Sequence, residues 1–177
     1  MQLDSEELRS LAFGFKRRAW RLEVLQAYSI ENEKEEFEKF LRGEKPPADY
    51  EYPWRDYVKK ATGDGKTMGR VHLVTRPLTD YVRYQFDWGY AHTVPVGEDV
   101  RILDLSTTPT PGLPDEDFWL FDDAVVRLIY DSDGVHLGQE LVDEPGALER
   151  YEQYQKLAID NSVPFSTYWP QDDKRQT

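Results

Sequence analysis

The chain has 177 residues, 34 acidic against 22 basic side chains, a formal charge of −12 and no cysteine. That length suits one domain able to bury roughly 70% of the surface of its unfolded chain, so a core forms without metal or disulfide staples. The composition excludes disulfides, thiol nucleophiles and cysteine metal sites, and the acidic balance opposes direct nucleic-acid binding, which needs a basic face. No apolar run approaches the roughly 18 residues of a membrane span, and the opening MQLDSEELRS is too acidic for a targeting peptide. A soluble, cytoplasmic protein is expected.

Asp4 or Ser5 caps a first helix with Glu7 in its first turn, and Leu8, Leu11, Ala12 and Phe15 recur at i, i+3, i+4, i+7. The run Lys16-Arg17-Arg18 reads as cations at a helix C-terminus, with an anion or carboxylate site as the alternative. A strand follows over Trp20 to Leu25, Leu22 and Val24 on one face, Arg21 and Glu23 on the other. Ser29 is expected to cap a second helix from Ile30 to Arg42, closed by Gly43. Pro53 opens a third helix to Ala61, with Trp54, Tyr57 and Val58 on one line.

Met68 to Thr75 reads as a strand with Val71 and Leu73 on one side and His72 on the other. A helix from Asp80 is expected to end at Trp88 before Gly89, and Ala91 to Asp99 is expected to be a loop. Val100 to Leu105 makes another strand, and Ser106 to Pro114, rich in proline, is an irregular connection. From Asp117 to Leu141 three short strands turn at Asp122-Asp123 and Asp133-Gly134, a C-terminal meander. Asp143-Glu144-Pro145 caps a long helix to about Asp160, with Leu148, Tyr151, Leu157 and Ala158 inward. Val163 to Trp169 tacks the end onto the body, and 170–177 is a polar tail. The pattern is that of a single α+β domain over residues 1–169. Its sheet is antiparallel or mixed, with five or six strands and helices mainly on one face.

The histidines, His72, His92 and His136, lack the spacing of metal ligands. There is no nucleophile elbow and no dinucleotide fingerprint. Gly63-Asp64-Gly65-Lys66-Thr67 lacks the earlier glycine of a phosphate loop and precedes a strand. No catalytic residue, metal or cofactor is therefore assigned. Aspartates at the meander turns are explained by bonds to nearby backbone N–H groups.

Arg21 and Glu23 share a strand face, and Arg83, Arg101 and Arg127 are further guanidinium candidates. Converging in one groove, these arginines bind an anionic ligand; paired across strands with Glu23, Asp104 or Glu140, they are structural, and the second reading is favoured. Trp54, Trp88 and Trp169 are candidate exposed anchors for a protein partner. The acidic segments Glu31 to Glu38 and Asp115 to Asp123 would face basic partner surface.

Five phrases carry a resemblance: AWRLEVLQAY at 19–28, RPLTDYVRYQFDWGY at 76–90, GEDVRILD at 97–104, FWLFDDAVVRLIYDSDGVHLGQELVD at 118–143 and VPFSTYW at 163–169. Together they resemble a domain of unknown function in small cytosolic proteins of high-GC Gram-positive bacteria. Its members are often encoded beside, or fused to, Xre-type helix-turn-helix regulators. The resemblance brings no catalytic residues with it. It implies a cytosolic accessory protein working with a DNA-binding partner, and the leading expectation is a non-catalytic interaction module for such a regulator. The alternative, which rests on the arginines, is a sensor or enzyme for a small anionic ligand with an arginine-lined groove.

Overall fold

A computed structural model describes residues 1–170; the polar tail expected at the end of the chain lies, from 171 on, outside the described residues. Eight strands form one sheet: β1 (Gln2–Leu3), β2 (Arg18–Glu23), β3 (Thr67–Val74), β4 (Asp99–Asp104), β5 (Asp117–Phe121), β6 (Ala124–Tyr130), β7 (His136–Leu141) and β8 (Val163–Pro164). Their order is β1-β7-β6-β5-β2-β3-β4-β8. The central pairs β2–β3 and β3–β4 are parallel, and every other pairing is antiparallel. The sheet has more strands than expected because β1 and β8 are two-residue edge strands, too short to leave a periodic pattern.

Parallel neighbours need long crossovers, and the crossovers carry the helices. The first helix, α1 (Ser5–Gly14), begins with a capping box: Asp4 accepts from the Glu6 and Glu7 N–H groups and Glu7 accepts from the Asp4 N–H. Between β2 and β3 lie a 3₁₀ turn at Glu31–Glu33, α2 (Lys34–Leu41) and α3 (Pro53–Gly63). Ser29 does not cap α2. Its N–H donates instead to Gly134 O at 2.9 Å.

Between β3 and β4, α4 (Asp80–Tyr84) runs into a π-helical stretch at Gln85–Tyr90, then α5 (Ala91–Thr93) and a 3₁₀ turn at Val94–Val96. The expected stop at Gly89 and the loop from Ala91 are thus both corrected. A glycine ends a helix by turning left-handed, and the glycine that does so is Gly97, at φ 118°. After β7 come α6 (Ala147–Asn161) and the short α7 (Phe165–Tyr168).

Strand alternation divides the core. Leu22, Val71, Leu103, Phe118 and Leu120 pack on Tyr151 and Ala158 of α6. On the other face, Ala19, Met68 and Phe121 meet α1 and α3, while Val100 and Ile102 meet Val82 and Phe86. An aromatic outer layer joins Tyr28, Tyr81, Tyr84 and Trp88 to Phe37 and Phe40 of α2. Among the described residues no helix is long and apolar enough to cross a membrane.

Candidate functional site

The helix-rich face of the sheet carries charge at its centre. Parallel register sets Arg21 beside Arg70 and Glu23 beside His72. Glu23 is 2% exposed, and its carboxylate accepts from Arg70 Nη1 at 2.8 Å and from the Tyr90 hydroxyl at 2.6 Å. Arg21 lies 3.3 Å from the same carboxylate, and its Nη2 donates to Asp117 at 2.9 Å. Asp117 also accepts from the Tyr28 hydroxyl at 2.7 Å and the Val24 N–H at 2.9 Å. Because Leu25 O can only accept, the 2.8 Å contact from His72 Nε2 places a proton on that nitrogen and leaves Nδ1 facing Tyr90.

Burial by itself would push the Glu23 carboxyl up, but Arg21, Arg70, His72 and the Tyr90 hydroxyl outweigh it and hold the group well below the usual carboxylate range. Burial and the neighbouring carboxylates push the Tyr28 and Tyr90 hydroxyls far up, so both remain neutral donors. Buried charges persist only as such a mutually bonded set.

Beside this cluster, a cavity of about 390 Å³ opens over Arg70 and Glu98, walled by the start of α3, the π-helical stretch and α2. Arg70 donates from Nε to Glu98 Oε1 at 2.7 Å, and its Nη2 forms an ion pair with the same oxygen at 2.6 Å. Glu98 Oε2 has no hydrogen-bond partner, although the residue is 4% exposed. Nor has Thr93 Oγ1, on a residue 1% exposed. Among the described residues five buried side-chain polar atoms lack a partner, and four of them, Trp54 Nε1, Gln85 Oε1, Thr93 Oγ1 and Glu98 Oε2, belong to residues lining this one cavity. Buried polar atoms are nearly always paired, with protein groups, ordered water or a ligand, so their concentration among the residues of one cavity singles it out as the candidate site. Part of the wall is π-helical, a widened turn found frequently at functional sites.

A family model, the domain of unknown function DUF6879, matches residues 6–170. The chain belongs to this family. No curated protein and no solved structure gives a match. The DUF6879 unit contains the whole polar cluster and every residue of the cavity wall.

Within this DUF6879 fold the candidate arginines part company. Arg21 joins the buried cluster with Glu23. Arg101 and Arg127 are in register with Val71 and Phe118, residues of the α6 face, so they project from the opposite side of the sheet. There Arg101 donates to Ser162 Oγ and O, both at 2.9 Å, and Arg127 pairs with Glu116 and Glu140. Arg83 is exposed on α4. The four do not line one groove.

The tryptophans are not exposed either. Trp88 is buried and Trp54 half-buried, and both line the cavity; Trp169 is half-buried and donates to Asp87 at 2.9 Å.

The acidic segment from Asp115 is largely occupied internally. Asp117 holds Arg21, Glu116 accepts from Tyr151 at 2.5 Å, and Asp123 pairs with Arg17. Asp122 accepts from the N–H groups of Lys16, Arg17 and Arg18 at 2.7, 2.7 and 3.0 Å. The basic run therefore does hold a carboxylate, but one of the protein's own. Asp131 behaves as its turn position suggests, accepting from the Asp133 and Val135 N–H groups.

Arg70, Gln85, Thr93 and Glu98 were not singled out from the sequence. Only Arg70 leaves a signal: a guanidinium beside Val71 in a strand hydrogen-bonded on both sides needs buried partners.

Proposed function

We propose that this protein is a small cytosolic, non-catalytic module that binds a small molecule in the cavity over Arg70 and Glu98. One observation carries the reading: among the described residues, four of the five unpartnered buried side-chain polar atoms belong to residues that line this cavity, together with the rings of Tyr50, Tyr52, Trp54, Tyr84, Trp88 and Tyr90. The ionisable groups next to it already satisfy one another, which suits binding and orientation better than bond-making. The test is a melting-temperature and tryptophan-fluorescence screen against chemically diverse small molecules, since ligands of the folded state stabilise it by mass action. Hits should weaken in Trp54→Phe and Thr93→Val. Absence of any hit sensitive to these two substitutions would count decisively against the reading.

A second reading, docking onto a helix-turn-helix regulator, draws support from the net charge of −12 and the carboxylates of α2. Glu31 and Glu35 are paired with Lys34 and Lys39, which lowers the field that face presents. Co-purification with an adjacently encoded regulator at low and moderate salt tests it, and failure under both conditions removes it.

A further inference from the structure

We infer that the ligand of the cavity is a small organic cation, an amine, amidine or guanidinium carried on a planar or apolar body; this rests on the cavity being a ligand site. Charge is the first reason. The lining holds three carboxylates, Glu33, Glu36 and Glu98, against the single guanidinium of Arg70. That guanidinium is already divided between Glu98 and Glu23, so an anion entering the cavity meets no cation free to pair with it.

Hydrogen-bonding capacity is the second. The hydroxyls of Tyr52, Tyr84 and Tyr90 already donate, to Gly89 O at 3.1 Å, Glu36 at 3.3 Å and Glu23 at 2.6 Å. Among the buried side-chain atoms of the lining, those without a partner are two that only accept, Gln85 Oε1 and Glu98 Oε2, one that does either, Thr93 Oγ1, and one donor, Trp54 Nε1–H. Such a set is complemented by a ligand rich in N–H donors.

The walls are the third reason. Ring faces attract cations, and the cavity already shows it: the Arg70 guanidinium lies 5.7 Å from the Trp54 ring centre and 5.4 Å from that of Tyr90. The Glu33 carboxyl, at the α2 side, is pushed up by burial in spite of its bond from Tyr81, so it too gains from a positive neighbour. The volume of about 390 Å³ falls within the usual range for small-molecule sites, about 300–1,000 Å³.

The probes are benzamidine, agmatine and choline, with benzamide and benzoate as neutral and anionic counterparts of benzamidine. Melting temperature and tryptophan fluorescence are read in titrations of the full chain. At least one cation should give a saturable rise in melting temperature and a fluorescence change, while benzoate gives neither. Its affinity should fall at least about tenfold in Glu98→Gln, which keeps the shape but loses the charge. Should that variant fail to fold, Glu36→Gln at the rim and Trp54→Phe carry the same test. No response to any of the three cations up to about 10 mM overturns the inference. Tighter binding of benzoate or benzamide, abolished by Trp54→Phe, also overturns it while leaving the cavity as a ligand site. Binding that ignores Trp54, Thr93 and Glu98 alike removes both readings.

Discussion

Arg70 spends two of its nitrogens on one oxygen of Glu98, at 2.7 and 2.6 Å, and reaches Glu23 with the third at 2.8 Å. One guanidinium thereby joins the closed polar cluster to the open cavity. Its planar fork is what makes the bridge, and burial among carboxylates keeps it charged, with its pKa raised above the usual arginine value even though desolvation works the other way.

Replacing Arg70 with methionine leaves Glu23 and Glu98, 2% and 4% exposed, with no guanidinium between them. Breaking a buried pair in this manner costs about 3–5 kcal/mol, and Arg70→Met should lose that much in urea unfolding. Arg70→Lys should recover little of it, because an ammonium on a flexible stem cannot reach both carboxylates at once. A loss under about 1 kcal/mol would mean that the cluster is wetter than its burial implies.

The Asp122 turn makes a pH prediction. Asp122 sits at φ 52° and accepts three backbone N–H bonds from the segment leading into β2. Burial pushes its carboxyl up, but the donors of Lys16, Arg18 and Arg17 win and its folded pKa is lowered. With the folded value below the unfolded one, the carboxylate stabilises the fold above the unfolded pKa of about 4, and that contribution fades as pH falls toward the folded value. Glu23 and Asp104 are shifted in the same direction, so all three weaken the fold in acid. Asp122→Asn keeps a residue tolerant of the left-handed conformation and removes one of the three. Its urea midpoint should be lower than wild type at pH 7, and the gap should narrow at pH 3. Parallel midpoints across that range would show that Asp122 does not titrate with folding.

How much of this was readable beforehand depends on distance along the chain. Local chemistry was legible: the Asp4–Glu7 capping box, the Asp131 turn, and the alternation that sets His72 apart from Val71 and Leu73. Parallel pairing of β2 with β3 was not, since nothing in Arg21 or Arg70 names the other as its neighbour. The cavity was hidden for the same reason. Its residues come from five separated segments around Glu33, Trp54, Arg70, Gln85 and Glu98, and three helical forms follow one another through Gly89 without a break in composition to mark them.

Gly97 ends that helical run and hands the chain to Glu98. At φ 118° an L side chain is strained, and an added Cβ would lie 2.6 Å from Thr62 Oγ1, whose one proton has Val58 O and Val96 O within reach at 2.9 and 2.8 Å. Gly97→Ala should cost about 1–3 kcal/mol by backbone strain and by displacing Thr62. Gly63→Ala, whose Cβ meets nothing within 4 Å, is the control and should be near neutral. Equal effects of the two would put the left-handed turn in doubt.

Thr93 offers the test that separates a binding site from a structural one. Its hydroxyl is buried without a partner, so in the ligand-free protein it contributes a desolvation cost and no bond. Valine has nearly the same shape and the same branching at Cβ, and it removes the hydroxyl without opening a hole. Thr93→Val should therefore raise stability by about 1 kcal/mol, seen as a higher urea midpoint at unchanged slope. It should at the same time weaken any ligand that Trp54→Phe also weakens. Gain of stability together with loss of binding is the signature of a residue kept for function against the interest of the fold. A loss of stability instead would show the hydroxyl to be bonded within the resting protein, through an ordered water held between polar groups of the wall, and the cavity would then have one fewer open position for a ligand.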